Sequence, residues 1–330
     1  MLFSLLNVPP ASASTAAGSG GAGAPGAGAG LAAAGVPAAA RVPKRRPRAL
    51  REAAARALFA AAAALSIAAV ALICLFLLAN GVPAMAEIGL PEFLFGTTWR
   101  PANDLYGIFP MIVGSLYVTA GAMIVGVPGG LLTALYLSRF ARGRTGSFLR
   151  SGVELLAGIP SVVYGFFGLV IIVPFVRLLG PGTGLSVLAA SLILGIMILP
   201  TVITVAQSAL DAVPARYYEG ALALGVDHEH AVFKVVAPAA ASGIMAAIVL
   251  GLGRAIGETM AVVMVAGNMP IIPDSLLSGV RTMTANIVLE MGYAADLHRE
   301  ALIATGVVLF VFILLITMLL NVTRKRGEAR

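Results

Sequence analysis

Six long uncharged runs dominate this chain and leave few folds open to it. They occupy residues 57–79, 109–138, 155–176, 185–210, 235–253 and 301–323. A helix needs about 20 largely apolar residues to cross a bilayer. Backbone groups in lipid must be satisfied inside their own segment, so each run is read as a helix. No run shows the short alternating strands of an outer-membrane barrel. The rest of the composition agrees, with 59% hydrophobic and 11% charged residues and a mean hydropathy of +0.96. A soluble domain carries about 25% charged residues, so a conventional soluble enzyme is excluded. The lone cysteine, Cys74, sits inside the first run and excludes a disulfide scaffold.

The 330-residue chain carries 22 Lys and Arg against 15 Asp and Glu. Such a basic balance can indicate nucleic acid, but here the cations cluster at the edges of the apolar runs. With the N-terminus inside, the inner segments hold 17 basic residues and the outer loops four, namely Arg100, Arg177, Arg281 and Arg299. With the six runs as spans, the positive-inside rule then predicts an inner-membrane protein with both termini cytoplasmic. The fifth span is expected to continue past Arg254 toward Ala266.

Residues 1–48 precede the membrane. Positions 11–40 hold 14 Ala and 8 Gly, which offer no side chains to bury and cannot offset the entropy of ordering. A disordered cytoplasmic tail is expected. The rival reading is a signal peptide, because Leu2 to Val8 is apolar and Ala11-Ser12-Ala13 resembles a cleavage site. Against it, no basic residue precedes that short apolar run. Residues 49–323 form the expected membrane domain, and 324–330 a basic cytoplasmic end. Pro128-Gly129-Gly130, Pro160, Pro174 and Pro200 fall inside spans. They fit either close helix packing or bent helices around a path that opens and closes.

The loop at 211–238 is the most informative polar segment. Pro214 suits the first turn of a short helix. Ala215 to Leu224 favours helix, and Gly225 suits a left-handed position that ends it. Pro238 is expected in the first turn of the fifth span. A short helix tied by a glycine to a membrane helix can take a push from a soluble partner. His228 and His230 lie here too, but two histidines without cysteine make a weak metal site, and a solvated loop is the expectation.

The spacing Glu219, Ala221, Gly225, Val235 and Pro238 resembles the EAA loop of ABC importer permeases. Gly220 stands where that family has Ala, and Ala237 where it has Leu. The resemblance implies an all-α, six-helix, type I ABC importer permease, and makes Glu219, Gly220, Ala221, Gly225 and Pro238 the contact to a separate ATPase. No Gly-Lys dipeptide occurs, so this chain has no P-loop. ATP and Mg would bind the partner subunit, and no cofactor, metal site or catalytic residue is expected in this chain.

Arg254 and Glu258 follow the fifth run at i and i+4, a spacing that puts them on one face of a continuous helix. Charges at membrane depth are expensive and usually face a bundle interior or wet cavity. One reading is a structural ion pair near the outer surface. The other is an anion site: Arg offers a fork matched to phosphate, and Glu accepts a hydrogen bond from an oxyanion that keeps a proton. Sulfate lacks that proton and would be repelled.

Gly253-Arg254-Ala255-Ile256-Gly257-Glu258-Thr259-Met260 with Ala266-Gly267-Asn268 is similar to the PstC family, the permease subunits of bacterial phosphate ABC importers. Phe95 to Pro101, Gly107 to Pro110 and Ile159 to Gly168 carry the same resemblance, which covers about residues 57–323. It implies that Arg254 and Glu258 are the transport-critical pair. It also implies a PstA-like second permease subunit, two PstB-like ATPases and a PstS-like periplasmic phosphate-binding protein. Alternatives in the same class are the sister PstA-type subunit or a permease for sulfate, molybdate or phosphonate. A membrane enzyme would need convergent catalytic groups, yet His228, His230 and His298 are expected in loops. A passive channel would not need the 211–238 loop. Asp274, Glu290 and Asp296 are expected in solvated outer loops, within reach of a binding protein. Trp99 and Tyr106 are expected as anchors at the outer interface.

Overall fold

The computed structural model describes residues 46–141 and 143–328, with side chains for 51–320. Most of the expected N-terminal tail therefore lies outside the described residues. The chain divides into two units, Met1–Ala60 and Ala61–Arg330. The described part of the first is the start of helix α1 (Arg46–Ile88).

In the second unit, α1 runs to Ile88 and is followed by α2 (Leu90–Phe95). A small antiparallel hairpin comes next, β1 (Trp99–Arg100) and β2 (Leu105–Tyr106), in the register Trp99 to Tyr106. Helix α3 (Phe109–Leu135) continues as a wide π-type turn through Phe140. Then come α4 (Gly143–Gly158), α5 (Ser161–Phe167), a second wide turn at Gly168–Ile172 and α6 (Val173–Arg177). Helix α7 (Val187–Asp211) leads into the polar loop, where α8 (Ala215–Ala223) and α9 (His228–Ala231) are followed by a third wide turn and α10 (Ala237–Ala239). Helices α11 (Ala241–Gly257), α12 (Met260–Val265), α13 (Met283–Glu290) and α14 (Asp296–Glu328) complete the chain.

Four helices are long and apolar enough to cross a bilayer, and two bent pairs raise the number to six if each pair is one span. The straight four coincide with the first, second, fourth and sixth apolar runs. The third and fifth runs do not form straight helices. Gly143–Gly158 and Ser161–Arg177 meet at 98°, and His228–Ala239 and Ala241–Gly257 at 71°. At the first bend, Pro160 disfavours helix for Ile159 and takes an extended conformation itself. The Tyr164 hydroxyl then donates to the Leu156 carbonyl at 2.7 Å, satisfying a group that the break exposes. Pro238 lies in α10, before the second bend, and not in the first turn of the membrane helix. The fifth span does reach Val265, but only through an interruption at Glu258 and Thr259.

Helices α3 and α7 pack along a face of small residues. A β-carbon on Gly126 would lie 2.6 Å from Ile198 Cγ1 and 2.7 Å from the Gly195 carbonyl, and one on Gly130 would lie 2.7 Å from Val202 Cγ1. These glycines let the two backbones approach, the usual device where no hydrophobic effect drives helices together. Gly130 thus serves packing, and Pro128 and Pro200 sit inside continuous helices. Around this pair a core forms from Val118, Ile193, Met197, Val262 and Val265. A second core joins the end of α1 to the hairpin, α13 and α14 through Met85, Phe93, Trp99, Met283 and Leu302. Leu58, Phe59, Ile67 and Phe76 of α1 are exposed, as expected of a helix facing lipid.

Gly126→Ala is expected to overpack this face and cost about 1–3 kcal/mol. The measurement is the melting temperature of the protein in detergent, which should fall by several degrees. Gly129→Ala places its β-carbon 3.4 Å from Leu199 Cδ2, an ordinary contact, and should leave the melt unchanged.

Candidate functional site

The break in the fifth span organises the first candidate site. Helix α11 ends at Gly257, and Glu258 is extended with φ −71° and ψ 134°. Arg254 and Glu258 therefore do not share one helical face, which corrects the i, i+4 expectation. Each charge instead serves a helix end. Arg254 lies in the last turn of α11, where the helix dipole is negative. Glu258 Oε1 accepts from the Ala261 backbone N–H at 3.2 Å and caps the start of α12. Among the described residues there is no ion pair between them; Arg254 donates only a long hydrogen bond, 3.5 Å, to Thr201 Oγ1 on α7. The Arg254 side chain is exposed on the isolated chain, and Glu258 is half-buried. A guanidinium so little engaged keeps its donors free for an anion or a neighbouring subunit.

The polar loop forms the second candidate site. Helix α8 covers Ala215–Ala223, and Gly225 takes φ +84°, as its sequence position requires. The Gly225 N–H donates to the Leu222 carbonyl at 2.9 Å and the Val226 N–H to Ala221 at 3.2 Å, the double bond of a Schellman end. Ala221 is buried, whereas Glu219, Gly220 and Pro238 are exposed and Leu224 is 86% exposed. His228 and His230 lie in α9, not in a loop. His228 Nδ1 is 2.6 Å from the Tyr218 hydroxyl, and its ring packs edge-on against Phe140, 4.7 Å between centroids. His230 pairs with Asp227 at 2.6 Å. His228 thus braces α8 against the end of the second span, while the His230 pair with Asp227 is local to α9. That end is also tied to α7, since Arg139 donates to the Leu210 carbonyl at 2.6 Å and Ser138 to Asp211 at 2.5 Å.

The structure reveals a third cluster that sequence reading placed in solvent. Glu290, at the end of α13, is 6% exposed. Arg281 Nη1 donates to its Oε1 at 2.6 Å, Trp99 Nε1 donates to its Oε2 at 2.9 Å, and His298 Nε2 lies 2.9 Å from the same oxygen. Trp99 and Tyr106 are buried, so they are core residues of this cluster and not interface anchors. His298 belongs to α14, not to a loop. Asp274 is exposed, and Asp296 begins α14. No local signal in the sequence pairs these residues, since Trp99 lies 191 positions from Glu290.

Comparison with known proteins places this geometry. The family described as "Binding-protein-dependent transport system inner membrane component" matches residues 126–326. A probable ABC transporter permease protein, YqgH of Bacillus subtilis, is 38% identical over 75% of this chain and 84% of its own. The phosphate transport system permease protein PstC of Mesorhizobium japonicum is 33% identical over 78% of this chain and 85% of its own. The corresponding PstC of Pasteurella multocida is 34% identical over 71% and 78%. Among solved structures, a chain of the MetNI methionine ABC transporter in an inward-facing conformation aligns with a TM-score of 0.53 at 20% identity, over 70% of this chain and 99% of that chain. That likeness bears on the fold alone, and the fold is that of an ABC importer permease.

Gly225→Ala is expected to strain the end of α8 by about 1–2 kcal/mol, because an L residue is disfavoured at that φ. Hydrogen exchange of the α8 amides should quicken about tenfold, with exchange in α7 unchanged.

Proposed function

Because the chain belongs to the family of binding-protein-dependent transport system inner membrane components, we propose that it is the PstC-type permease subunit of an ATP-driven importer of inorganic phosphate. It is a multi-pass inner-membrane protein and a transporter subunit, not an enzyme. In this reading both termini are cytoplasmic, in keeping with 17 basic residues in the segments on that side. A PstA-like subunit completes the path, two PstB-like ATPases bind ATP and Mg, and a PstS-like protein delivers phosphate.

The observation that carries the cargo assignment, beside the PstC relatives, is the uncommitted state of Arg254. It lies at a helix break with no carboxylate in ion-pair range among the described residues. Its fork fits a phosphate face. Glu258 uses Oε1 for the α12 cap and can accept a hydrogen bond from the O–H of hydrogen phosphate on its other oxygen. A fully deprotonated oxyanion offers no such donor and meets the carboxylate as a like charge.

Coupling runs through the 211–238 loop. Glu219, Gly220, Ala221, Gly225 and Pro238 present or shape the surface of α8 toward an ATPase. Tyr218, His228 and Phe140 make α8 move with the end of the second span, and α10 and α11 connect it to the fifth. Closure of the ATPases would move these ends together and turn the path outward; reopening would return it. Nucleotide thereby biases a two-state equilibrium of the permease.

Arg254→Gln and Glu258→Gln should each lower phosphate uptake at least about tenfold, the scale of one lost charge-assisted contact. Membrane level and ATPase assembly should stay unchanged. Uptake is measured with labelled phosphate in cells that depend on this importer. Persistent uptake in both variants would assign the two charges to capping alone.

A further inference from the structure

We propose that the buried Glu290 cluster positions the interrupted end of the fifth span, acting through Arg281 and Thr284 on the two ends of α12. The proposal deepens the transport reading above and rests on it for its functional consequence. Helix α12 is only six residues long and is separated from α11 by an extended residue. So short a helix does not hold itself in place. Its apolar face packs in the core through Val262 and Val265, and the Ser186 and Val280 N–H groups donate to the Val265 and Ala266 carbonyls at 3.0 and 2.8 Å. Two side chains from the segment around α13 then fix its two ends. At its start, Thr284 Oγ1 donates to the Glu258 carbonyl at 3.1 Å. Just past its end, Arg281 Nε donates to the Asn268 carbonyl at 2.9 Å, in a turn where Asn268 takes φ +54°.

Both holders are themselves fixed. Arg281 is clamped by Glu290 at 2.6 Å and by Asn286 Oδ1 at 3.0 Å. Thr284 sits in the first turn of α13, where Thr282 caps the Ala285 N–H and Ser115 of α3 accepts the Met283 N–H at 2.9 Å. Glu290 closes the far end of the same helix onto Trp99 of the hairpin and His298 of α14. A buried carboxylate with this many donors is poor evidence for stability, since apolar packing often serves as well. It does fix a geometry, because every partner must keep its place for the charge to stay satisfied. The geometry fixed here is the position of Glu258 relative to Arg254. Arg281, Thr284 and Glu290 are therefore positioning residues that act on the transport pair without touching cargo.

The test uses the assembled importer, reconstituted in vesicles with its binding protein and inorganic phosphate. Thr284→Val removes the hydroxyl at nearly constant volume, and Glu290→Gln keeps the shape but removes the charge. Each is expected to lower the maximal uptake rate about tenfold while the half-saturating concentration of loaded binding protein stays within about twofold. Thr284→Ser should restore the rate. The double variant should lose no more than the worse single, because both act on one element. A cargo-independent readout accompanies this: spin labels on Met260→Cys and Leu116→Cys in a Cys74→Ser background report the position of α12. Their distance distribution should be narrow in the parent and in Thr284→Ser, and broad in Thr284→Val and Glu290→Gln. Unchanged distances, a Ser variant as impaired as Val, or losses that multiply in the double variant would overturn the proposal. A parent complex that moves no phosphate would overturn the cargo reading instead, and the spin-label distances would still decide the clamp.

Discussion

A bilayer offers no water to an exposed N–H or carbonyl, so every interruption of a membrane helix must bring its own hydrogen-bond partner. This constraint explains where the polar side chains of the fold are spent. At the bend between α4 and α5, the Tyr164 hydroxyl answers the carbonyl of Leu156. At the break between α11 and α12, Glu258 answers the Ala261 N–H and Thr284 answers the Glu258 carbonyl. Past α12, Asn268 reaches back to the Val263 carbonyl at 2.7 Å while Arg281 takes its own carbonyl. Each partner belongs to one specific interruption, and a straight helix would need none of them.

The same constraint links breaks to movement. A continuous helix such as α7 is held by its own ladder and by the small-residue face of α3, so it serves as a frame. The bend of the third span and the break between α11 and α12 are each held by one or two side-chain hydrogen bonds, which are easier to exchange between two arrangements than a packed helix face. The wide turns at Gly168–Ile172 and Val232–Val236 lie next to these bends. The α8 loop connects to the fifth span through one such turn and one such bend, so a push on α8 arrives at a joint.

Much of this was readable from the residues, and the divisions follow physical range. Length and lack of charge identified the four straight spans because lipid imposes both on a local stretch. Pro214 and Gly225 marked the ends of α8 because turn chemistry is local too. The bends were not readable. Pro83, Pro128 and Pro200 sit inside continuous helices, whereas Pro160 begins a new one after a sharp turn. Nothing in the local residue types separates these cases; the outcome depends on tertiary packing, which brings Tyr164 to the freed Leu156 carbonyl at the bend. The i, i+4 spacing of Arg254 and Glu258 failed for the same reason, since it presumed an unbroken helix. The Glu290 cluster was hidden by distance: its Trp99 partner is 191 residues away in sequence.

Two sets of buried or membrane-facing charges remain to be told apart, and their degree of satisfaction does so. Glu290 has a donor from each of three other segments and little exposure, so its charge is consumed by the fold. Its cation, Arg281, is committed to that carboxylate, to Asn286 and to the Asn268 carbonyl, and has little left for a passing anion. Arg254 is the opposite case. It keeps one long contact to Thr201 and faces outward from the isolated chain. A guanidinium so poorly paired is costly wherever lipid surrounds it. In the proposed transport role, an anion or a second permease subunit would answer that charge, which lies beside the helix break. The satisfied cluster holds the frame rigid, and the unsatisfied arginine is what the frame presents.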